Sequence, residues 1–158
     1  MSYAGDMIAS LAHLPNYTLE PSVKLKRAFI TDLPAIEAFI REQFSEGWVY
    51  EMTRSILQDS GKCFIAVEDR KVIGFACFDG TAKGFFGPLG VHPEAQRRGI
   101  GAALLIRTLE AMRDYGYGYA IIGWVGDAAP FYEKIVGAQF IPGGTPDNSV
   151  YSNMVLFG

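Results

Sequence analysis

The apolar pattern changes period several times along the chain. Met7, Ile8, Leu11 and Leu14 fall at helical spacing before Pro15 and Pro21 interrupt, so residues 1–21 read as a short extra helix or a loose N-terminal arm. Val23 to Ile30 alternates through Val23, Leu25, Arg27 and Phe29, which predicts a strand. Thr31-Asp32 is a helix N-cap signal with Pro34 in the first turn, and Ile36, Phe39, Ile40 and Phe44 form one apolar stripe. Ser45-Glu46-Gly47 breaks that helix, and a second runs from about Val49 to Gln58. Cys63 to Val67 and Val72 to Phe78 form a hairpin, and Phe85 to Val91 is extended, with a bulge or kink expected at Gly87-Pro88.

The strongest helix spans Gly99 to Tyr115. Leu104, Leu105, Thr108, Leu109 and Met112 make its buried face, and Gly116 ends it. Tyr119 to Trp124 reads as a strand buried on both faces. Asp127 caps a short helix that ends at Gly137. Ala138 to Ile141 and Val150 to Phe157 read as two last strands. The sum is one mixed α/β domain over residues 22–158, a central mixed sheet flanked by about four helices.

Composition narrows the class. The chain has 158 residues, 49% of them apolar and 20% charged, with a net charge of −3. Such a chain folds around an ordinary core and offers no polycationic face for nucleic acid. No apolar run approaches the roughly 20 residues of a membrane helix. The N-terminus lacks a basic n-region and carries Asp6, so no secretory leader is expected and the cytoplasm is the expected compartment. Cys63 and Cys77 read as buried reduced thiols. His13 and His92 lack metal-ligand company, so no metal is expected.

The candidate chemistry lies at the start of the long helix. Pro93 ends a strand, and Gly99 and Gly101 let the backbone turn tightly and approach a ligand. The first amides of a helix lack internal acceptors and form an anion site of roughly half a positive charge. Arg97 and Arg98 add formal charge beside it. No Gly-Lys-Ser/Thr follows, so this is no Walker loop, and Leu104 stands where a dinucleotide fingerprint needs glycine.

The run from Leu89 to Leu105 (LGVHPEAQRRGIGAALL) closely resembles the central motif of the GNAT acetyltransferase superfamily, a Gln/Arg-x-x-Gly-x-Gly/Ala loop after a strand. Downstream, Ala128, Phe131-Tyr132-Glu133-Lys134 and Gly137-Ala138 resemble the family's second motif. Two departures stand out. Val125 occupies the position of a usual Asn, and the usual Gly-Phe is split by Ala138-Gln139. The resemblance implies a GNAT-like acyl-CoA N-acyltransferase fold with acetyl-CoA as acyl donor and a small-molecule or peptide amine as acceptor. Homodimers through the last strands are common in that fold. Leu89, Gly90 and Val91 would pair with the pantetheine arm. The amides of Gln96, Arg97, Arg98, Gly99, Ile100, Gly101 and Ala102 would hold the pyrophosphate. Tyr132 would face the thioester sulfur, and the amide of Val91 would hold the oxyanion. Trp48, Tyr50 and Trp124 would border the acceptor. A non-catalytic acyl-CoA-binding sensor is the alternative.

A tyrosine hydroxyl in water titrates near 10 and a thiol near about 8.5, so full proton transfer to a thiolate is uphill by roughly 2 kcal/mol. Tyr132 is therefore expected to donate a hydrogen bond to sulfur, with concerted transfer at most. No acid stands on the strand Phe85-Phe86-Gly87-Pro88-Leu89. The base is expected to be Asp79, Glu94 or a water chain. Deprotonating an amine of pKa about 10.4 at pH 7 costs roughly 4.6 kcal/mol, against roughly 1 for an α-amine near 7.8. Without a visible base, the low-pKa amine is favoured.

Overall fold

The computed structural model describes residues 5–155. At the N-terminus a period of two wins over the helical spacing. Met7, Ala9 and Leu11 are fully buried, and Gly5–Ser10 is strand β1, which corrects the expected arm or helix. The other elements are β2 (Lys24–Arg27), α1 (Leu33–Gln43), α2 (Glu46–Gln58), β3 (Cys63–Glu68), β4 (Lys71–Phe78), β5 (Phe85–Val91), α3 (Ile100–Asp114), β6 (Tyr119–Val125), α4 (Ala129–Val136) and β7 (Gln139–Phe140).

They form one seven-stranded sheet in the order β2-β3-β4-β5-β6-β1-β7. Among the described residues only the β5–β6 pair is parallel. Strand β1 slots antiparallel between β6 and β7, so the N-terminus supplies an interior strand. The expected strand from Val150 is instead a short 3-10 turn over Val150–Asn153, and the end of that stretch lies outside the described residues.

Side chains alternate cleanly across the central strands. Phe64, Ala66, Ala76 and Phe78 join Leu104, Leu105, Leu109 and Met112 of α3 on one face. Cys63, Ile65, Phe75 and Cys77 join Ile36, Ile40, Val49, Met52 and Ile56 of α1 and α2 on the other. Helix α2 starts earlier than the periodicity suggests because Ser45 caps it, its Oγ accepting from the Trp48 amide at 3.3 Å. Strand β6 is buried on one face only: Ala120, Ile122 and Val125 point inward, while Tyr119 and Trp124 are exposed. No helix of the described residues is long and apolar enough to cross a membrane.

The sheet opens between its two parallel strands. β5 and β6 pair only at Phe85–Ile121 and Phe86–Ile122. Beyond that point each strand carries an extra residue. In β5, Gly87 and Pro88 stand against the single Cys77 of β4, with Gly87 at φ 114° and a cis Gly87–Pro88 bond. This is the bulge expected from the sequence. In β6, Gly123 and Trp124 stand against the single Asp6 of β1, with Trp124 at φ 54°. Asp6 fixes this second bulge, its Oδ1 accepting from the Trp124 amide and from Ser149 Oγ, both at 3.0 Å. Bulges bend strands, and two of them facing one another part β5 from β6.

Candidate active site

A cleft of about 390 Å³ runs from the open edge of β5 to the start of α3. Leu89, Gly90, Val91, Gln96, Arg97, Gly99, Ile100, Gly101 and Ala102 line it, together with Ala95 and Phe131. Nine of the expected cofactor residues are thereby brought together. Arg97 (φ 65°) and Gly99 (φ 77°) both take the left-handed conformation, which turns the loop into the helix. The amides of Ile100, Gly101 and Ala102 have no acceptor among the described residues, and the first α3 bond is Ala103 N–H to Gly99 O. Gly90 is required for packing as much as for a ligand, since a Cβ there would lie 2.5 Å from the Phe44 ring.

The Arg98 side chain does something else. Its guanidinium bridges Glu20 (2.8 Å) and Glu68 (2.6 Å), and Glu68 also accepts from Ser22 Oγ. Two carboxylates neutralise the charge that the sequence placed beside an anion. Arg98 is a clamp that ties the loop to the segment after β1 and to the end of β3. Its hydrogen bonds, with help from Ser22, bring the Glu68 carboxyl down from 4.5 to about 2.

Tyr132 sits on α4 with its ring edge-on to Phe86, 6.2 Å between centroids, at the last residue where β5 still pairs with β6. The residue is 8% exposed, and burial raises its pKa well above the usual 10. Its hydroxyl makes no hydrogen bond among the described residues, yet it is not among their fully buried unpartnered atoms, so it keeps an accessible face. A neutral donor with a free proton therefore stands at the mouth of the opening.

Asp79 is buried and engaged by several donors. Its carboxylate is 2% exposed and already accepts from Lys62 Nζ (3.0 Å), the Gly84 amide (2.9 Å) and the Tyr117 hydroxyl (2.9 Å). Asp79, at φ 62°, is the fixed point of the β4–β5 turn, a structural use that competes with the role of base expected from the sequence. His92 is likewise a turn residue, its Nδ1 accepting from the exposed Glu94's amide at 3.0 Å.

The aromatic candidates separate. Trp48 packs on Phe44 and Phe75, ring centroids 5.0 and 6.1 Å away, as part of the α1/α2 face. Tyr50 is 58% exposed. Trp124 is half exposed and meets the Tyr151 ring at 5.3 Å. Behind that pair lies a carboxylate that sequence reasoning missed. Glu51 Oε2 accepts from Thr81 Oγ1 and, at 3.5 Å, from the Tyr151 hydroxyl. Its signal was only positional: Glu51 lies one turn before the buried Ser55, at the edge of the stripe of α2. Val125, in place of the usual Asn, is 4% exposed and pairs with Gly5 of β1, so it serves the core.

Comparison with known proteins agrees with this geometry. The model of the acetyltransferase (GNAT) family matches residues 27–138. A GCN5-related N-acetyltransferase from Sphaerobacter thermophilus is 20% identical with a TM-score of 0.71, the match covering 89% of this chain and 49% of that one. A GCN5-related glucosamine N-acetyltransferase region of a fungal multi-domain GH3 β-N-acetylglucosaminidase is 16% identical with a TM-score of 0.67, over 87% of this chain and 20% of that one. YhbS, a GNAT family N-acetyltransferase of Escherichia coli in complex with CoA, is 22% identical with a TM-score of 0.50, over 66% and 63% of the two chains. The chain thus spans about half or less of the length of the first two. These likenesses show the fold. No curated protein matches the chain significantly.

Proposed function

Because the chain belongs to the GNAT acetyltransferase family, we propose that it moves an acetyl group from acetyl-CoA to a primary amine by direct attack in a ternary complex. The observation that carries the reading is the cleft in which three helix amides without a partner among the described residues and the free edge of β5 are continuous. The amides of Ile100, Gly101 and Ala102 suit a diphosphate, which bears charge and several acceptor oxygens. The backbone of Leu89 to Val91 suits an extended amide-bearing arm, as an added strand would pair. The parting of β5 from β6 then directs the acyl end toward Phe86 and Tyr132.

Burial keeps Tyr132 protonated across the physiological range. It donates a hydrogen bond to the sulfur as charge develops there, and a separated tyrosinate is avoided. The motif-bearing residues place no side-chain nucleophile in the cleft, which supports direct attack by the amine. The acceptor reaches the carbonyl carbon from the α1/α2 face, where Trp124 and Tyr151 border the opening.

The test is to incubate the protein with acetyl-CoA and a panel of amines and to follow free thiol. Amine-dependent thiol release is expected. Tight acetyl-CoA binding without it would establish the sensor reading instead.

A further inference from the structure

Resting on that reading, we propose that Glu51 is the general base and the anchor for the acceptor's ammonium group, and that the acceptor is a primary alkylamine that is protonated at neutral pH. Four observations converge on this carboxylate.

The first is location. Phe85 and Phe86 are neighbours in β5, so their side chains project to opposite faces of the sheet. Phe86 meets Tyr132 on the α3/α4 face. On the other face, a Cβ at Gly123 would lie 2.7 Å from the Tyr151 ring and 3.1 Å from the Phe85 ring. Gly123 is the first residue of β6 beyond its pairing with β5. Tyr151 therefore lies at the opening, opposite Tyr132, and its hydroxyl leads to Glu51. A carbonyl held in the opening has the hydrogen-bond donor Tyr132 on one side and Glu51 on the other.

The second is availability. Among the described residues only Oε2 of Glu51 is engaged, by Thr81 and Tyr151. Among the described residues Oε1 has no partner, and it is not among their fully buried unpartnered atoms, so it is reachable from solvent. Of the other acids near the opening, Asp79 is saturated, and Asp6 spends Oδ1 on the Trp124 amide and the Ser149 hydroxyl.

The third is charge. Among the described residues no cation lies within ion-pair distance of Glu51. Arg54, one turn along on the same helix, spends its guanidinium on the Gly80 and Thr81 carbonyls at 3.3 and 3.0 Å. Two titratable groups beside Glu51 are neutral, Tyr151, pushed up to about 12 chiefly by burial, and the buried Cys77 thiol, raised by burial; Asp6, which also acts on Tyr151, holds the Trp124 amide and the Ser149 hydroxyl. A half-buried carboxylate without a countercharge attracts a cation, and the half-exposed Trp124 beside Tyr151 adds an aromatic face.

The fourth is rigidity. Arg54 and the Ser55 hydroxyl, which donates to Phe78 O at 2.9 Å, staple α2 to β4 and its turn. A Cβ at Gly80 would lie 2.4 Å from the Glu51 carbonyl, so the turn touches the helix backbone at the residue that bears the carboxylate.

The proton balance is complete. Glu51 takes one proton from the ammonium and passes it to solvent. The freed nitrogen lone pair forms the C–N bond to the thioester carbon, and the C–S bond breaks with its electron pair on sulfur. The second nitrogen proton ends on that sulfur by way of the Tyr132 hydroxyl, which is left unchanged. With a base at the site, an amine of high pKa reacts as readily as one of low pKa. The cost of roughly 4.6 kcal/mol for an amine of pKa about 10.4 is met by proton transfer at the site.

The experiment compares E51Q with wild type, using a primary alkylamine and an amino-acid amide of pKa near 8 as acceptors. It reads acetyl-CoA affinity, melting temperature and kcat/KM from pH 6 to 10. E51Q is expected to keep acetyl-CoA affinity and melting temperature, because Gln retains an acceptor for Thr81. It is expected to lose kcat/KM for the alkylamine by about 100-fold at pH 7 and by less than 10-fold at pH 10, where free amine is abundant. Loss for the lower-pKa amine should be smaller at every pH. An unchanged kcat/KM, or a loss equal at all pH values and for both amines, would reduce Glu51 to a support for the Thr81 turn and overturn the proposal. Failure of wild type to turn over any amine would overturn both readings; turnover by wild type and E51Q alike would overturn this one alone.

Discussion

At Gly101 the demands of fold and ligand diverge. A Cβ there would meet Phe131 and Val91 at 3.7 Å, which is ordinary contact, and Gly101 is the second residue of α3. Gly101→Ala should leave the melting temperature unchanged or raise it slightly, since alanine is favoured over glycine in a helix by about 0.5–1 kcal/mol. The same methyl enters the cleft beside the free amides, so calorimetry should show CoA affinity falling about tenfold. Tyr132 offers the complementary test. Tyr132→Phe should lower turnover at least tenfold with acetyl-CoA affinity retained; unchanged turnover would remove the hydroxyl from the mechanism. The glycines, Tyr132 and the β5 backbone were legible because motif spacing reports backbone needs directly. The use of Arg98 was not, because its partners Glu20 and Glu68 are 78 and 30 residues away. Glu51 was hidden for the same reason: Thr81 and Tyr151 reach it from distant turns.

Among the elements, the loop before α3 is held from outside by the Arg98 clamp. The Glu68 carboxyl is lowered from 4.5 to about 2, so its contribution to stability is full above pH 4.5 and is lost as pH falls toward 2. Thermal melts should show the wild type losing stability across that window. Arg98→Ala should melt lower at pH 7 and lose less on acidification; parallel curves for the two proteins would contradict the linkage. Helices α1 to α4 and strands β2 to β6 were legible because each carries its own period and punctuation. Strand β1 was not. Its buried set Met7, Ala9, Leu11 includes a small alanine, while Ile8 and Leu14 complete a competing helical set. The pairing that decides between them comes from β6 and β7, more than 100 residues on.

For the whole molecule, the opening between β5 and β6 depends on a sheet braced on both sides. On one side Asp79 gathers Lys62, Gly84 and Tyr117 at the β4–β5 turn. Asp79→Asn keeps the shape but leaves the 13%-exposed Lys62 without its counterion. It should cost about 3 kcal/mol in denaturant unfolding while folded protein retains its turnover. A loss of turnover without loss of stability would return Asp79 to the chemistry. On the other side Asp6 of β1 holds the Trp124 bulge, so a strand outside the family match of residues 27–138 shapes the site. CoA is expected to lie along β5 with its diphosphate on the N-terminus of α3. A crystal structure of the protein with bound CoA tests it most directly. Diphosphate oxygens should lie about 2.7–3.2 Å from the amides of Ile100, Gly101 and Ala102, with the sulfur toward Tyr132. A diphosphate bound elsewhere, or a sulfur directed away from Tyr132, would contradict it.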